Sequence, residues 1–361
     1  MHRNCLTRSA VLGAALACIG WLLPWQAEAA ACANPRQMDG FKTCADVAKA
    51  EAEGAITFYT TDPEPGTAQV VAAFNRAFPK IKPAFIRLQA GNLYAKLSAE
   101  RQAKAYQADV MAISEMTFAT DLQKKGGYLQ YDGPELAGYR ADFKSKPEGF
   151  WTWGSLIVAG IAYNPKLVPA NEVPQNWTDV FDVARFGGQL NVKLSTSGLQ
   201  HGTWYKLKQL YGEQYWTKFA DLKPRAFDSY VQQFDRMVNG QDKMVHGAQY
   251  SGYLQFKAKG ADLGFVFPKD GLFVGQQIYG VMAEAPHPEA AKLFFDWAMG
   301  VPGQVAIQNA HFLSSPRTDT PPPPGGLPTG EMKLIFVEDW DDYLKTRPQF
   351  VREWDRMLGL R

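Results

Sequence analysis

The chain has 361 residues with 46% hydrophobic and 13% aromatic content, enough for one large core or two ordinary ones and too apolar for a disordered protein. Its formal charge of +2 excludes the strong general field that binding to nucleic acid or to an anionic membrane would use.

The first thirty residues read as an export signal. His2, Arg3 and Arg8 precede an apolar run over 10–25, and Ala27-Glu28-Ala29 puts small residues where a signal peptidase cuts, so cleavage is expected after Ala29. Gly13, Gly20 and Pro24 break the run, which falls short of the roughly 20 residues of a spanning helix. The expected compartment is the periplasm. Cys5 and Cys18 would leave with the signal, and Cys32 and Cys44 would remain in an oxidising environment. A disulfide closing a short N-terminal loop is the favoured reading. Lipidation of Cys32 is the alternative, although Ala29 stands where a lipobox usually has Leu.

Residues 41–54 predict a helix stopped by Gly54. A strand over 55–59 turns through 60–66 into a helix over 67–78, with Val70, Val71, Phe74 and Phe78 on one face. A strand over 84–88, a loop over 89–92, a helix over 93–104 and a strand over 108–113 ending on Ser114 follow. Strand and helix in alternation predict an open parallel sheet, whose ligands sit outside the carboxyl ends of the strands. The loops at Tyr59, Gln89 and Ser114 should therefore share one crevice edge.

A helix through Leu122 ends at Gly126-Gly127, and Trp151 and Trp153 lead into an apolar strand over 155–163. Then come a helix over 177–186, a strand over 189–194 running into Ser195-Thr196-Ser197-Gly198, a helix over 201–211 and more helix over 213–239. Residues 247–271 read as a tyrosine-bearing loop, a helix stopped by Gly260, and a strand over 263–267. The strands over 155–163 and 263–267, each followed by a proline, read as a chain leaving one lobe and returning. A strand over 277–283, a helix over 288–299, a Pro-rich loop over 321–328 and an amphipathic helix over 339–358 complete the chain. The last helix is expected on the outside of the first lobe. The fold class is α/β, with two Rossmann-like lobes joined by two hinge strands. Lobe 1 would take residues 30–154 and 268–361, and lobe 2 residues 155–267.

Ser195, Thr196, Ser197 and Gly198 at a strand-to-helix junction would bind an anion, because free backbone N–H groups and the helix dipole both favour negative charge. Plain helix capping is the other reading. Thr60-Thr61 and Gly91-Asn92 repeat the arrangement in the other lobe. Tyr250 and Tyr253 could hydrogen bond or stack on a ligand, or as phenolates bind a hard trivalent metal; buried structural tyrosine is the alternative. Tyr59, Trp151 and Trp153 could stack in the same crevice or pack near the hinge, and Arg87 could neutralise a carboxylate. His201, His246, His287 and His311 stand in no HExxH or nucleophile-elbow context, and there is no Walker loop and no GxGxxG. The chain reads as neither an enzyme nor a cofactor protein.

The segments AITFYTTDPE, YQADVMAIS, GIAYNP, PQNWTDVFDVARFGGQLNV, GYLQFKAKGADLGFVFPKDG and APHPEAAKLFFDWAMGVPGQ resemble those of extracellular solute-binding proteins of ABC importers. The resemblance is to the type 2 periplasmic class, which includes ferric-iron, phosphonate and sugar-phosphate binders. It implies two α/β lobes closing on a ligand that is handed to an inner-membrane permease by a monomeric protein. Ferric binders carry an adjacent Tyr-Tyr pair where this chain has Gly252-Tyr253. They often have His or Tyr where Thr61-Asp62-Pro63 stands, and an acidic residue where Gly91-Asn92-Leu93 stands. These departures leave few ligands for a hard cation, whereas the Ser/Thr/Gly loops fit the oxyanion of a small organic anion (phosphonate, phosphate ester or carboxylate) and the aromatic residues fit its organic body, so such an anion is the expected ligand. Ferric iron through Tyr250 and Tyr253 is the alternative, and a hydrolase on the same scaffold a lower one.

Overall fold

A disulfide joins Cys32 to Cys44, with Cα atoms 5.9 Å apart, and closes a hairpin of β1 (Arg36–Gln37) and β2 (Lys42–Thr43). The structure, a computed structural model, describes Cys32 and residues 34–360. The expected export signal, with Cys5 and Cys18, lies outside the described residues. Helix α1 (Val47–Glu53) starts later than its pattern suggests, because Asp46 caps it by accepting from the Lys49 N–H. Gly54 ends it at φ 69°, a left-handed conformation that favours glycine.

The parallel alternation follows as expected. The elements are β3 (Ala55–Thr60), α2 (Glu64–Ala77), β4 (Lys82–Arg87), α3 (Ala90–Gln102), β5 (Val110–Ile113) and α4 (Met116–Lys124), with β3 paired in parallel to both β4 and β5. The long β6 (Thr152–Tyr163) leads into a second set. In place of one helix over 177–186 there is a 3-10 turn at Trp177–Val180 and a short α5 (Val183–Phe186), because Asp182 opens a new cap. Then come β7 (Leu190–Lys193), α6 (Gly198–Tyr211), α7 (Gln214–Ala220), β8 (Arg225–Phe227), α8 (Tyr230–Val238), β9 (Met244–Gln249), α9 (Tyr250–Ala258) and β10 (Gly264–Val266). Sequence reading passes over β8 because it has only three residues. It passes over β9 because Gly247, at φ 70°, sits in a bulge opposite β6 and breaks the alternation. The chain closes with β11 (Leu272–Val281), α10 (Pro288–Met299), α11 (Val301–His311), β12 (Leu334–Ile335) and α12 (Trp340–Met357).

One sheet runs β4-β3-β5-β11-β6-β9-β7-β8. Its first half is the parallel β3, β4 and β5, and its second half the parallel β7, β8 and β9. The antiparallel β6 and β11 join them. The return crossing is therefore β11, and the strand expected over 263–267 does not make it. As β10, that segment covers three residues and pairs only with Ile161 to Tyr163 at one end of β6. Three residues span about 10 Å, whereas the ten of β11 span about 33 Å and reach β5.

The terminal helix also differs from expectation. Tyr343, Phe350 and Trp354 of α12 pack with Trp204, Trp216 and Leu190 in the second half. The Trp354 indole donates to the Lys193 carbonyl at 2.9 Å. Aromatic residues on one stripe of α12 need an apolar partner, and α6 offers one. In the first half, Phe58, Phe74, Phe294 and Trp297 form the corresponding core.

Gly202 lets α6 lie against β11, since a Cβ there would fall 2.0 Å from the buried Phe273 ring. Gly202→Ala is expected to cost about 1–3 kcal/mol through overpacking, measurable by urea unfolding. An unchanged midpoint would mean that α6 rides loosely on the crossing strands.

Candidate functional site

In parallel sheets the strand-to-helix loops gather at the carboxyl edge, and here each half of the sheet has such an edge. In the first half the edge carries Thr61 and Asp62 after β3, and Ser114 and Glu115 after β5. In the second half it carries Ser195, Thr196 and Ser197 after β7, Asp228 after β8, and Gln249 ending β9.

The two edges meet. A Cβ on Gly198, the first residue of α6, would lie 3.2 Å from Oε2 of Glu115 and 3.9 Å from the Ser114 carbonyl. The crossing strands run beneath: Leu199 reaches 3.2 Å from the Cβ position of Gly275, and Gln277 stands opposite Ser155 in the β11–β6 register. The Gln277 amide donates to Thr61 Oγ1 at 2.9 Å, and Thr61 lies 3.5 Å from Ser114 Oγ. Ser155 Oγ is buried with no hydrogen-bond partner. Thr61, Ser114, Glu115, Ser155, Gln277 and the start of α6 thus form one polar junction between the halves.

Below Thr61, Asp62 is 6% exposed and its carboxyl is raised above its ordinary value by burial, a shift opposed by His311, Thr60, Gln277 and Tyr279. His311 is lowered by its own burial, against the pull of Asp62.

The structure sorts the candidates from the sequence. Thr61 and Ser114 lie at the junction, half-buried, and Thr60 sits behind them, bonded to Asp62. Ser197 caps α6 by accepting from the Gln200 N–H, Thr196 donates to Asp228, and Ser195 is buried. Capping and the helix-start position therefore coexist. Gly91 and Asn92 are exposed, but they belong to the first turn of α3 and not to a loop. Gln89 takes the extended cap position instead, which shortens the loop.

Tyr59 and Trp153 are corrections. Tyr59 is fully buried on the opposite face of β3 from Thr60, and its phenol donates to Glu100 at 2.8 Å. Trp153 stacks on Phe143 at 4.7 Å in the core, and Trp151 is buried with its indole donating to Gln123. Tyr250 is 3% exposed, and its phenol oxygen accepts the Leu327 N–H of the Pro-rich loop at 3.2 Å. Tyr253 is half-buried and stacked on Tyr250, ring centroids 5.9 Å apart. Burial raises both phenols above their ordinary value. Among the described residues no cluster of three or more His, Cys, Asp or Glu side chains could hold a metal ion.

Sequence reading missed Gln277, Ser155 and Glu115 as site residues. Gln277 carried a usable signal, a polar side chain in the fully buried run of β11. Arg87 has its Nε buried without a partner, and Arg347 donates to the Thr196 carbonyl while its Nη1 is buried and unpaired.

The family model described as bacterial extracellular solute-binding protein matches residues 59–305, which spans both edges and both crossing strands. The chain belongs to that family. Solved structures of such binding proteins share the fold. Iron-bound HitA from Pseudomonas aeruginosa superposes with a TM-score of 0.71 at 19% identity, over 84% of this chain and 99% of that one. The periplasmic binding protein AfuA from Actinobacillus pleuropneumoniae, with exogenous fructose-6-phosphate bound, gives 0.72 at 22% identity, over 85% and 99%. Trichodesmium IdiA (FutA), in complex with iron and citrate, gives 0.69 at 18% identity, over 84% and 99%. No curated protein matches the sequence. At these identities the likeness establishes the two-lobed solute-binding fold, and membership of the family makes the chain an extracellular or periplasmic binding protein.

Proposed function

We propose that this solute-binding protein captures a small organic anion, a phosphate ester, phosphonate or carboxylate, between the two strand edges and delivers it as a monomer to an ABC permease. The lobes would divide within β6 and β11, with α12 riding on the second. The observation that carries the reading is the contact of Glu115 with the start of α6. A carboxylate from one strand edge stands near the first residue of the helix at the other edge, where free backbone N–H groups and the helix dipole favour negative charge. A ligand oxyanion would take the place of the Glu115 carboxylate, and Thr61, Ser114 and Gln277 would supply further hydrogen bonds. Contacts from both lobes favour the closed form, which is what drives hinge closure.

Ferric iron is the second reading, on Tyr250 and Tyr253. Of the three structures compared above, two carry iron by name and one carries fructose-6-phosphate. Ferric binding here would require the buried Tyr250 and the half-buried Tyr253 to lose their protons and Tyr250 to give up its bond from Leu327.

One thermal-shift panel of phosphate esters, phosphonates, small carboxylates and ferric citrate tests both. A true ligand at about 100 times its Kd should add about 2.7 kcal/mol. Stabilisation by an anion without colour supports the first reading. Phenolate-to-iron colour with stabilisation by ferric citrate alone would replace it with the second.

A further inference from the structure

We infer that Lys193 is the cation that receives the ligand's anionic group, a phosphate or carboxylate, at the second lobe's edge of the cleft; this rests on the anion reading above. Lys193 is the last residue of β7 and precedes the Ser195-Thr196-Ser197 turn into α6. Its Nζ lies 5.8 Å from the Tyr230 ring centroid at the start of α8, and it forms no ion pair among the described residues. Asp228 attracts it but is itself engaged by Thr196 Oγ1 at 3.3 Å.

Its neighbour Gln200 is 2% exposed. Gln200 accepts from the Lys193 backbone N–H at 3.3 Å and leaves its own Nε2 buried without an acceptor. One strand end therefore holds an ammonium with no carboxylate in ion-pair contact and an amide N–H without an acceptor, between the starts of α6 and α8. Donors left unpaired in a buried setting cost stability, and an oxyanion is the ligand that offsets the cost. Burial presses the Lys193 ammonium down to about 8, as expected for a charge short of a partner. If instead the lysine stem merely packs on Tyr230, the head group has no tie to the ligand.

The test is titration calorimetry of the whole protein with phenyl phosphate, glucose 6-phosphate and citrate, on wild type, Lys193→Met and Lys193→Arg. For the strongest probe, Lys193→Met should weaken binding about 10- to 100-fold while the ligand-free protein unfolds at an unchanged or higher temperature. Lys193→Arg should keep most of the affinity. In wild type the binding heat near about pH 8, where the probes are fully ionised, should depend on the buffer's ionisation heat, because an anion raises the ammonium pKa and draws in a proton. Both variants should lose that dependence. Equal affinity in Lys193→Met, or buffer-independent heat in wild type near about pH 8, overturns this inference and leaves the anion reading standing. If none of the probes binds wild type, the anion reading falls and the role of Lys193 falls with it.

Discussion

Trp354→Ala is expected to remove about 3–5 kcal/mol of folding stability, the range for truncating a buried tryptophan. The side chain is 1% exposed, meets Trp216 at 5.1 Å in an edge-to-face pair and leans on Phe350 at 5.6 Å. It also bonds the Lys193 carbonyl, while Arg347, one turn before Phe350 on the same helix, holds the Thr196 carbonyl. Helix α12 thus secures the turn that would meet the ligand. Urea unfolding should show the loss, and the variant should also bind its anion more weakly. A loss below about 1 kcal/mol would mean that the helix is peripheral to the second lobe.

The second large effect is a pH dependence at the N-terminal clasp. Asp296 on α10 is fully buried and accepts from Thr43 Oγ1 at 2.7 Å, the Cys44 N–H at 3.1 Å and the Tyr131 phenol at 2.5 Å. Its other oxygen, Oδ1, is buried with no partner. Burial pushes its carboxyl from 3.8 up to about 7 with Glu135 adding in the same direction, and the hydrogen bonds from Tyr131, Thr43 and Cys44 oppose the shift only in part. A group whose pKa is higher folded than unfolded contributes stability that is complete at pH below the unfolded value and is lost as pH rises through the folded one. Here the window runs from 3.8 to about 7, and the difference amounts to up to about 4 kcal/mol. Wild type should therefore lose stability between about pH 4 and about pH 7, and Asp296→Asn, which keeps an acceptor but no charge, should lose much less. Denaturant unfolding of both proteins across that range decides it. Parallel curves would mean that Asp296 is not the group responsible.

The clasp and the cleft illustrate one division of labour. The disulfide hairpin is tied to Asp296 on α10 and to none of the residues at the junction, so loosening it should alter stability more than ligand affinity. The turn after β7 is tied to α12 at the edge itself, so loosening it should alter both.

By itself the sequence determined the kind of fold and the places where a site could form. The alternation around β3, β4 and β5, the Ser-Thr-Ser-Gly turn into α6 and the helix stops at Gly54 and Gly260 are local features. They are set by strand and helix periodicity and by the conformations that Gly, Ser and Thr permit. Tertiary structure alone decided which of the residues at those places reach the junction between the two strand edges. Tyr59 and Thr60 are neighbours, but a strand sends successive side chains to opposite faces, so Tyr59 enters the core against Glu100 while Thr60 joins Asp62 under the junction. Thr61 meets Gln277 across 216 positions, and Glu115 after β5 approaches Gly198 at the start of α6. Tyr250 is closed off by a loop that the chain supplies 77 residues later. Such pairings depend on which layers stack and which strands cross, and local periodicity carries no record of either.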